Sequence, residues 1–494
     1  MSILAIDAGT TGVTALVVTE SGSVAARGYQ DFPQHFPAPG QVEHEPEEIW
    51  QATLSACRAA TEAAQASGGT PVRCVGITNQ RETAVLWDRK TLAAPRPAVV
   101  WQDRRTAAIC DRLRAAGHEP RVAELTGLRL DPYFTGTKLT WLAENDPAWA
   151  DVRRGAVALG TVDSYLIARL TGGQMHVTDA SNASRTLLYD IGAGAWSPEL
   201  CDLLEVPVEA LPTVLPSWGE FGRTDPDAFG GLDVPITGVA GDQQAALFGQ
   251  ACFRPGQSKC TYGTGSFVLV NTGGKVVRSD AGLLTTVAWQ APDGALTYAL
   301  EGAVFVTGAA VQWLRDGLGV IETAAASEEL AASVPDSGGV VFVPALTGLG
   351  APHWDPAARG TILGLTRGST RAHLARATLE AIAFEVRDVV EVMMAEAALE
   401  LPALTVDGGA AANGLLCQIQ ADQLGVPVRR PTVLETTGQG AAFLAGLGAG
   451  IWADPAELAD TWALDRRFDP QPVDAAAYRR WQRAVELARS WADA

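Results

Sequence analysis

The sequence predicts an α/β protein made of two similar halves with a cleft between them. Strand-like runs such as ILAIDAG and RCVGITN alternate with amphipathic, helix-like runs. In addition, LAIDAGTTGVTALVV at residues 4–18 resembles KCTYGTGSFVLVN at residues 259–271, and each has an apolar approach, a Gly-Thr turn and a strand-like return. Half the chain separates the two segments, which is too far for a solenoid repeat. We therefore expect a duplicated fold, with domains at residues 1–245 and 246–494 and a hinge near the boundary.

Three further segments support the alternation of strands and helices. HEPEEIWQATLSACRAATEAAQAS opens with Pro46 and acidic residues and then becomes amphipathic, which predicts a helix. The run at residues 373–399 predicts a long amphipathic helix, and LTVDGGAAANGLLCQIQADQLG predicts a strand, a glycine turn and a helix.

Composition excludes several classes of function. With 37 basic and 56 acidic residues the net charge is −19, which argues against binding to nucleic acid or to an anionic membrane surface. The longest apolar run is too short to span a bilayer, so no membrane insertion is expected. The N-terminus has no basic region, and the seven cysteines form no CxxC pair, so we expect a cytoplasmic protein with reduced thiols. The six histidines lack the spacing of zinc ligands.

Two turns, Asp7–Gly12 and Gly263–Gly265, have the composition of phosphate-binding turns. Glycine and threonine expose backbone N–H groups and hydroxyls to phosphate oxygens. An ordinary hairpin turn is the alternative for either one alone. The chain has neither a Walker motif nor a Rossmann fingerprint. Asp7 beside the first turn is a candidate ligand for Mg²⁺.

The junction GVAGDQQAALFGQ at residues 238–250 places Asp242 and two glutamines between a strand-like and a helix-like run. Asp242 could cap the helix, or it could direct a carboxylate into the cleft. The two interpretations are compatible.

Taken together, these segments resemble the glycerol kinases of the FGGY carbohydrate kinase family over nearly the whole chain. The resemblance rests on GQVEHEPEEIW, GITNQRET, VWQDRRTA, DPYFTGTK, TDASNASRTLLYD, GVAGDQQAALFGQ, TYGTGSF, YALEGAVFVTGAAVQWLRD, LTGLGAPHWDP, LGLTRG and VDGGAAANGLLCQIQAD. It implies an actin-like ATPase fold, with two ribonuclease-H-like domains flanking a catalytic cleft. It also implies phosphorylation of glycerol to sn-glycerol 3-phosphate by Mg-ATP, as the first step of glycerol catabolism, in a homodimer or homotetramer.

The same resemblance implies roles for individual residues. Asp242 would be the general base, and Asp7 and Asp242 would hold Mg²⁺. The polyol would be bound by polar groups and by two aromatic walls, in this sequence Arg81, Glu82, Tyr133, Asp242 and Gln243, with Trp101 and Phe267. ATP would be bound by residues of the two turns and of two later segments, namely Thr10, Thr11, Gly12, Thr264, Gly308, Gln312, Gly409 and Asn413.

The chain departs from the family at several positions. The first turn reads DAGTTGVTA, so Ala8 and Thr14 replace the usual Gln and Arg, and that Arg contacts nucleotide phosphate in the family. The stretch DAFGGLDVPITG lacks the Arg of the fructose bisphosphate loop, and PSWGEFGRT lacks the His that is phosphorylated in other members. We therefore expect activation by neither route.

Three other functions fit less well. A kinase of the same fold acting on erythritol, xylulose or another polyol is the first. The residues that favour glycerol over these are Arg81, Glu82, Trp101 and Tyr133. A non-catalytic actin-like sensor should carry an appended DNA-binding helix pair or lack the base. An Hsp70-like ATPase would need a peptide-binding domain, for which the length leaves no room.

Overall fold

The computed structural model describes residues 1–493. Its first half contains strands β1 to β13 and helices α1 to α9, with the bounds β1 Ser2–Ala8, β2 Gly12–Thr19, β3 Val24–Asp31, β4 Glu43–His44, α1 Pro46–Ala66, β5 Val72–Asn79, β6 Val85–Asp88, β7 Ala98–Val99, α2 Ala107–Ala115, α3 Glu119–Thr126, α4 Thr135–Asn145, α5 Trp149–Arg153, β8 Val157–Gly160, α6 Val162–Leu170, β9 Val177–Asp179, α7 Ala180–Ala183, β10 Tyr189–Asp190, β11 Ala195–Trp196, α8 Pro198–Leu203, β12 Thr213–Leu215, β13 Ile236–Gly241 and α9 Asp242–Gly249.

The second half contains strands β14 to β22 and helices α10 to α16, with the bounds β14 Ser258–Tyr262, β15 Ser266–Gly273, β16 Leu284–Gln290, β17 Leu296–Val304, α10 Gly308–Asp316, α11 Ala326–Ala332, β18 Val341–Val343, β19 Thr361–Leu363, α12 Arg371–Ala397, β20 Leu404–Asp407, α13 Gly414–Leu424, β21 Val428–Pro431, α14 Thr436–Gly448, α15 Pro455–Ala459, β22 Leu464–Phe468 and α16 Ala475–Ala488. Short 3-10 helices lie at Val208–Ala210, Gly409–Ala412 and Trp491–Asp493.

The central sheet of the first half has five strands in the order β3-β2-β1-β5-β13. Strands β1, β2 and β3 pair antiparallel in succession, whereas β5 runs parallel to both β1 and β13. Helix α1 packs against β2 and β3. It starts as predicted, with Pro46 in its first turn followed by Glu47 and Glu48, and its buried side chains recur every three or four residues from Ile49 to Ala64.

The sheet of the second half has seven strands in the order β16-β17-β15-β14-β20-β21-β22. Its five inner strands repeat the first sheet: β14, β15 and β17 pair antiparallel in succession, and β20 runs parallel to β14 and β21. Strands β14 and β15 thus occupy the places of β1 and β2. The repeated order and polarity confirm the duplicated α/β architecture and the actin-like ATPase fold with two ribonuclease-H-like domains.

The two halves are joined by two helices that pack against each other, α9 and α14. Helix α14, from the second half of the chain, packs on β1, β5 and β13 of the first sheet and against α9. Helix α9 also contacts strands of the second sheet. The two helices are in close contact at glycines. A Cβ on Gly440 would lie 1.8 Å from the Ala245 carbonyl oxygen, and one on Gly249 would lie 2.1 Å from the Thr436 carbonyl oxygen, so neither position has room for a side chain.

The predicted division between residues 245 and 246 falls inside α9, which runs unbroken from Asp242 to Gly249. Helices α9 and α14 belong to one apolar cluster that includes residues of both sheets. The chain therefore passes from the first half to the second inside a packed core. The domain division and the hinge near it remain predictions.

The structure also bears on the cysteines and on the apolar runs of the chain. All seven cysteines are free and buried. Among residues 1–493, no helix combines the length and the apolar character needed to cross a membrane.

Candidate active site

Arg81 and Glu82 lie immediately beyond the carboxyl end of β5, near the middle of the first sheet. The backbone turns sharply there: the Thr83 N–H donates to the Arg81 carbonyl, and Glu82 has a φ of 62°, in the left-handed region that a glutamate seldom adopts. Both side chains are directed inward and are at most 2% exposed. Two opposite charges are therefore held in the interior, beside the cleft between the halves.

The Arg81 guanidinium is fully engaged by protein groups. Its two terminal nitrogens donate to both carboxylate oxygens of Glu301, at 2.5 and 3.2 Å, to Gln244 Oε1 at 3.2 Å and to the Tyr133 hydroxyl at 3.3 Å. Its Nε lies 3.0 Å from Asp242 Oδ1. Arg81 thus brings together residues from both halves, including the predicted site residues Tyr133 and Asp242.

A second arginine completes this buried charge cluster. Arg185, which is 0% exposed, donates from Nε to Glu82 Oε1 at 2.7 Å and from Nη2 to Glu301 Oε1 at 2.9 Å. Burial alone would raise the pKa of Glu301, but Arg185 and Arg81 lower it to about 2. The two arginines therefore balance Glu82 and Glu301, as buried charges require.

Three polar groups around this cluster have a hydrogen-bonding position that no group within residues 1–493 occupies, and we call them open. Glu82 Oε2 and Asp242 Oδ2 accept no hydrogen bond, and the Tyr133 hydroxyl accepts from Arg81 while its own proton has no acceptor. Aromatic rings border them, since the Trp101 and Tyr133 rings meet edge to face at 5.5 Å and Phe267 lies 5.9 Å from the Arg81 guanidinium carbon. Two acceptors, one donor and an apolar wall suit a small polyhydroxy compound.

Gln243 is the one predicted polyol residue that faces elsewhere. Its side-chain oxygen accepts a hydrogen bond from the buried ammonium group of Lys259, which also donates to Thr261 Oγ1 at 2.9 Å. It is Gln244, the next residue, whose amide oxygen contacts Arg81. The polyol contact predicted for Gln243 therefore stays a prediction.

The first Gly-Thr turn, between β1 and β2, adjoins the same pocket. The Gly9 N–H donates to the Gly12 carbonyl at 3.0 Å, closing the turn, and the Trp101 indole N–H donates to Thr10 Oγ1 at 2.9 Å. Thr11 is exposed and Gly12 is buried. Thr14 pairs with Asp7 across the hairpin, and Ala8 is buried at the end of β1.

Asp7 and Asp242 fit a divalent cation. Within residues 1–493 the Asp7 carboxylate accepts no hydrogen bond, and burial together with the Asp242 charge raises the pKa of Asp7 to about 7. The Asp7 carboxylate and the free Oδ2 of Asp242 are the kind of oxygen donors that Mg²⁺ takes together with phosphate oxygens and water. No group of three or more potential metal ligands occurs in the described part of the chain, so the protein by itself offers only this partial set.

The second Gly-Thr turn, between β14 and β15, is held against the start of α10. The Gly263 N–H donates to the Gly265 carbonyl at 2.8 Å, and the Gly308 N–H donates to the Gly263 carbonyl at 3.0 Å. A Cβ on Gly308 would lie 2.6 Å from that same carbonyl oxygen. Thr264 is exposed, and the exposed Gln312 lies one turn into α10.

The remaining two predicted nucleotide residues lie in the turn after β20. Gly408 packs so closely on the end of β14 that a Cβ there would lie 2.5 Å from the Tyr262 carbonyl oxygen, and Gly409, the next residue, is exposed. Asn413 caps α13, its side chain accepting from the Leu416 N–H at 2.9 Å. The turns at Gly263–Gly265 and Gly408–Gly409 therefore lie side by side.

Sequence reasoning missed three residues of this site, Glu301, Arg185 and Lys138. The signal for Glu301 was a lone carboxylate inside an apolar run, because a buried charge must have a partner. Lys138 is buried, and its ammonium group donates to the carbonyls of residues 132, 133 and 134, in the loop that carries Tyr133. Burial lowers the pKa of Lys138 to about 7.

Comparison with known proteins agrees with this geometry. The sequence models of the FGGY family of carbohydrate kinases match residues 2–249 for the N-terminal domain and residues 258–449 for the C-terminal domain. The glycerol kinases of Gloeobacter violaceus and Aromatoleum aromaticum are 54% and 55% identical to the chain, each covering 99% of it and 97% and 99% of their own lengths.

Among solved structures, Plasmodium falciparum glycerol kinase with ADP superimposes with a TM-score of 0.91 at 33% identity, covering 99% of this chain and 98% of that one. The xylulose kinase from Rhodospirillum rubrum gives a TM-score of 0.84 at 26% identity over the same shares. The chain belongs to the FGGY family of carbohydrate kinases.

Proposed function

We propose that this chain is a glycerol kinase, which transfers the terminal phosphoryl group of ATP to a hydroxyl of glycerol and so forms sn-glycerol 3-phosphate and ADP. The observation that carries the proposal is the buried charge cluster around Arg81, beside which Glu82 Oε2, Asp242 Oδ2 and the Tyr133 O–H remain open between aromatic rings. Sequence identity above 50% to glycerol kinases, over 99% of the chain, supports it.

In this proposal the open groups select and orient the polyol. Glu82 accepts a hydrogen bond from one hydroxyl, and Tyr133 donates to another. Trp101 and Phe267 cover the carbon atoms. A site with fixed polar partners rejects compounds that leave those partners unpaired, so a small triol is favoured over less hydroxylated analogues.

Asp242 is proposed as the general base. Its Oδ1 is fixed by the Gln243 N–H at 2.7 Å and by Arg81, which leaves Oδ2 to accept the proton of the attacking hydroxyl. As that proton leaves, the new bond between oxygen and the terminal phosphorus forms, the bridging bond to the β-phosphate breaks, and ADP departs. Transfer of this kind depends chiefly on positioning and on neutralising charge.

The two Gly-Thr turns are proposed to hold the phosphates. Backbone N–H groups and the hydroxyls of Thr10, Thr11 and Thr264 are the donors, with Gly12 and Gly308 allowing close approach. Gln312, Gly409 and Asn413 are proposed to contact the rest of the nucleotide. Asp7 and Asp242 would hold Mg²⁺, which when bound supplies neutralisation of phosphate charge.

Several finer points belong to the same proposal. Gln243 would orient the substrate. The halves would close around both ligands to exclude water. The chain would act in the cytoplasm as a homodimer or homotetramer. The nearest alternative is a kinase of another polyol or ketose, for which the structural likeness to a xylulose kinase at 26% identity is the specific observation.

The test is ADP release by the purified chain with Mg-ATP and one of glycerol, dihydroxyacetone, erythritol or D-xylulose, or no acceptor. Rapid turnover with glycerol and little without an acceptor is the expected result, and it would show that Thr14 is tolerated in place of the family arginine. Turnover only with D-xylulose or erythritol would reassign the substrate. The absence of turnover with every acceptor would overturn the proposed activity.

A further inference from the structure

Glu301 lies where the second sheet meets the polyol pocket of the first half. It belongs to β17, opposite Leu269 of β15, and its side chain is 0% exposed. Its two oxygens accept three hydrogen bonds from arginines of the other half, two from Arg81 and one from Arg185. None of the roles assigned above to substrate, metal or proton transfer uses this carboxylate.

Arg81 has competing partners. Its Nε lies 3.0 Å from Asp242 Oδ1 and 3.7 Å from Glu82 Oε1. The two carboxylates that the reaction needs thus lie next to the Arg81 guanidinium. The pair of hydrogen bonds to Glu301 is a fork-like arrangement in which both terminal nitrogens are engaged, and with the neutral bonds to Gln244 and Tyr133 it holds the guanidinium away from their free oxygens.

We propose that Glu301 is a positioning residue for the polyol pocket, a carboxylate of the second half that holds Arg81 so that Glu82 Oε2 and Asp242 Oδ2 stay free for substrate. This inference rests on the proposed function. Without the Glu301 charge, the nearest anionic partners of Arg81 are Asp242 and Glu82, and attraction at these distances is strong for a guanidinium that is buried. Arg81 then takes the acceptors that glycerol would use.

Arg185 is the second arginine that Glu301 contacts. It donates to Glu82 Oε1 and Glu301 Oε1 but to none of the open groups, so it balances charge and fixes the orientation of Glu82. Neutralising Glu301 alone removes a partner that Arg81 and Arg185 share, and replacing Arg185 as well removes the cation left short of a partner without restoring the hold on Arg81. A double variant therefore separates charge balance, which governs stability, from positioning, which governs substrate binding.

The experiment compares steady-state kinetics and thermal denaturation of the wild type, Glu301→Gln, and the double variant Arg185→Met with Glu301→Gln. The matched control is Glu385→Gln, a carboxyl of α12 that is also buried and that has no hydrogen bond or ion pair to the predicted site residues in the described structure. The readout is the ratio of the KM for glycerol to the KM for Mg-ATP, which a loss of folded protein would not change.

We expect Glu301→Gln to raise the KM for glycerol at least about tenfold, the effect of losing one charge-assisted pair, with the KM for Mg-ATP nearly unchanged. The double variant should regain thermal stability but not the glycerol KM, and Glu385→Gln should keep the wild-type ratio. An unchanged ratio in Glu301→Gln, or a normal glycerol KM in the double variant, would overturn this inference alone. Absence of glycerol turnover by the wild type would overturn the proposed function and this inference with it.

Discussion

The β1–β2 hairpin of the first half and the β14–β15 hairpin of the second occupy equivalent places in their sheets, and their turns close with the same kind of hydrogen bond, from Gly9 to Gly12 and from Gly263 to Gly265. Their surroundings differ. The first turn follows a carboxylate, Asp7, and its Thr10 hydroxyl accepts from Trp101 of the polyol pocket. The second turn carries an exposed threonine, and its carbonyl groups accept hydrogen bonds from the backbone of residues 307–309 at the start of α10.

This difference suggests how one duplicated backbone serves two ligands. A neutral triol needs several oriented, desolvated partners, and the first half supplies them from buried side chains. An anionic nucleotide is recognised well by backbone N–H groups in open glycine turns, and the second half supplies those. Substitutions in the first half should therefore affect the polyol as well as the nucleotide, whereas substitutions in the second turn should affect the nucleotide alone.

The largest effect is expected for Asp242→Asn, which removes the proposed base at the end of the first sheet. We expect kcat to fall on the order of 10²-fold or more, as for loss of a general base, while ATP still binds, because the glycine turns are unchanged. Turnover and nucleotide titration measure the two effects, with Asp293→Asn, an exposed loop carboxylate, as the control. Near-normal turnover in Asp242→Asn would refute the assignment.

The second turn can be tested by adding one methyl group. In Gly308→Ala the new Cβ would lie 2.6 Å from the Gly263 carbonyl oxygen, so the turn must shift. Overpacking of this kind costs about 1–3 kcal/mol, and we expect the KM for Mg-ATP to rise roughly tenfold, with the glycerol KM unchanged. Gly274→Ala, whose Cβ would meet only the Leu296 carbonyl oxygen at 4.0 Å, is the control. Equal changes in both KM values would contradict a separate nucleotide turn.

The two threonines provide a direct comparison of the turns. Thr10→Ala removes the acceptor of the Trp101 indole N–H, so it should raise the KM for glycerol as well as for Mg-ATP. Thr264→Ala should raise only the KM for Mg-ATP. Each lost hydrogen bond corresponds to about 1 kcal/mol, or roughly fivefold. If Thr10→Ala left the glycerol KM unchanged, the proposed link between the first turn and the polyol pocket would be wrong.

The smallest effect concerns acid stability of the first half. His44 supports the first turn through Gln80, whose side chain lies 3.3 Å from His44 Nδ1 and donates to the Gly9 carbonyl at 3.1 Å. Burial, with a smaller contribution from His35, lowers the pKa of His44 from 6.5 to about 4. Between these pH values the unfolded chain binds the proton more readily, so stability falls as the pH decreases from 6.5 towards 4.

His44→Asn should therefore lose stability at neutral pH but show a shallower decline towards acid pH than the wild type. Thermal denaturation followed across this range measures the slope. His176, whose pKa burial also lowers to about 4, should preserve part of the decline. An identical slope in the variant would show that His44 does not contribute.

Much of the architecture could be predicted from local patterns. The two similar hairpins indicated a duplicated fold, and α1 and α12 were predicted from apolar periodicity and first-turn residues, with α12 observed at Arg371–Ala397 rather than 373–399. The motifs around Arg81, Tyr133 and Asp242 predicted residues that the structure brings into contact. These features depend on neighbours in sequence, which a single chain displays directly.

The sequence by itself thus determined the fold class, because hydrophobic periodicity is a local property, and its motifs determined the family. The pocket residues were predicted from that resemblance, and their roles stay proposals. Only the tertiary structure decided that Glu301 and Arg185 complete the charge cluster, that Gln243 faces Lys259, and that α14 of the second half packs on the first sheet beside α9. The physical reason is that a buried charge takes the partner that packing brings within reach, and here that partner is 220 residues away in the chain.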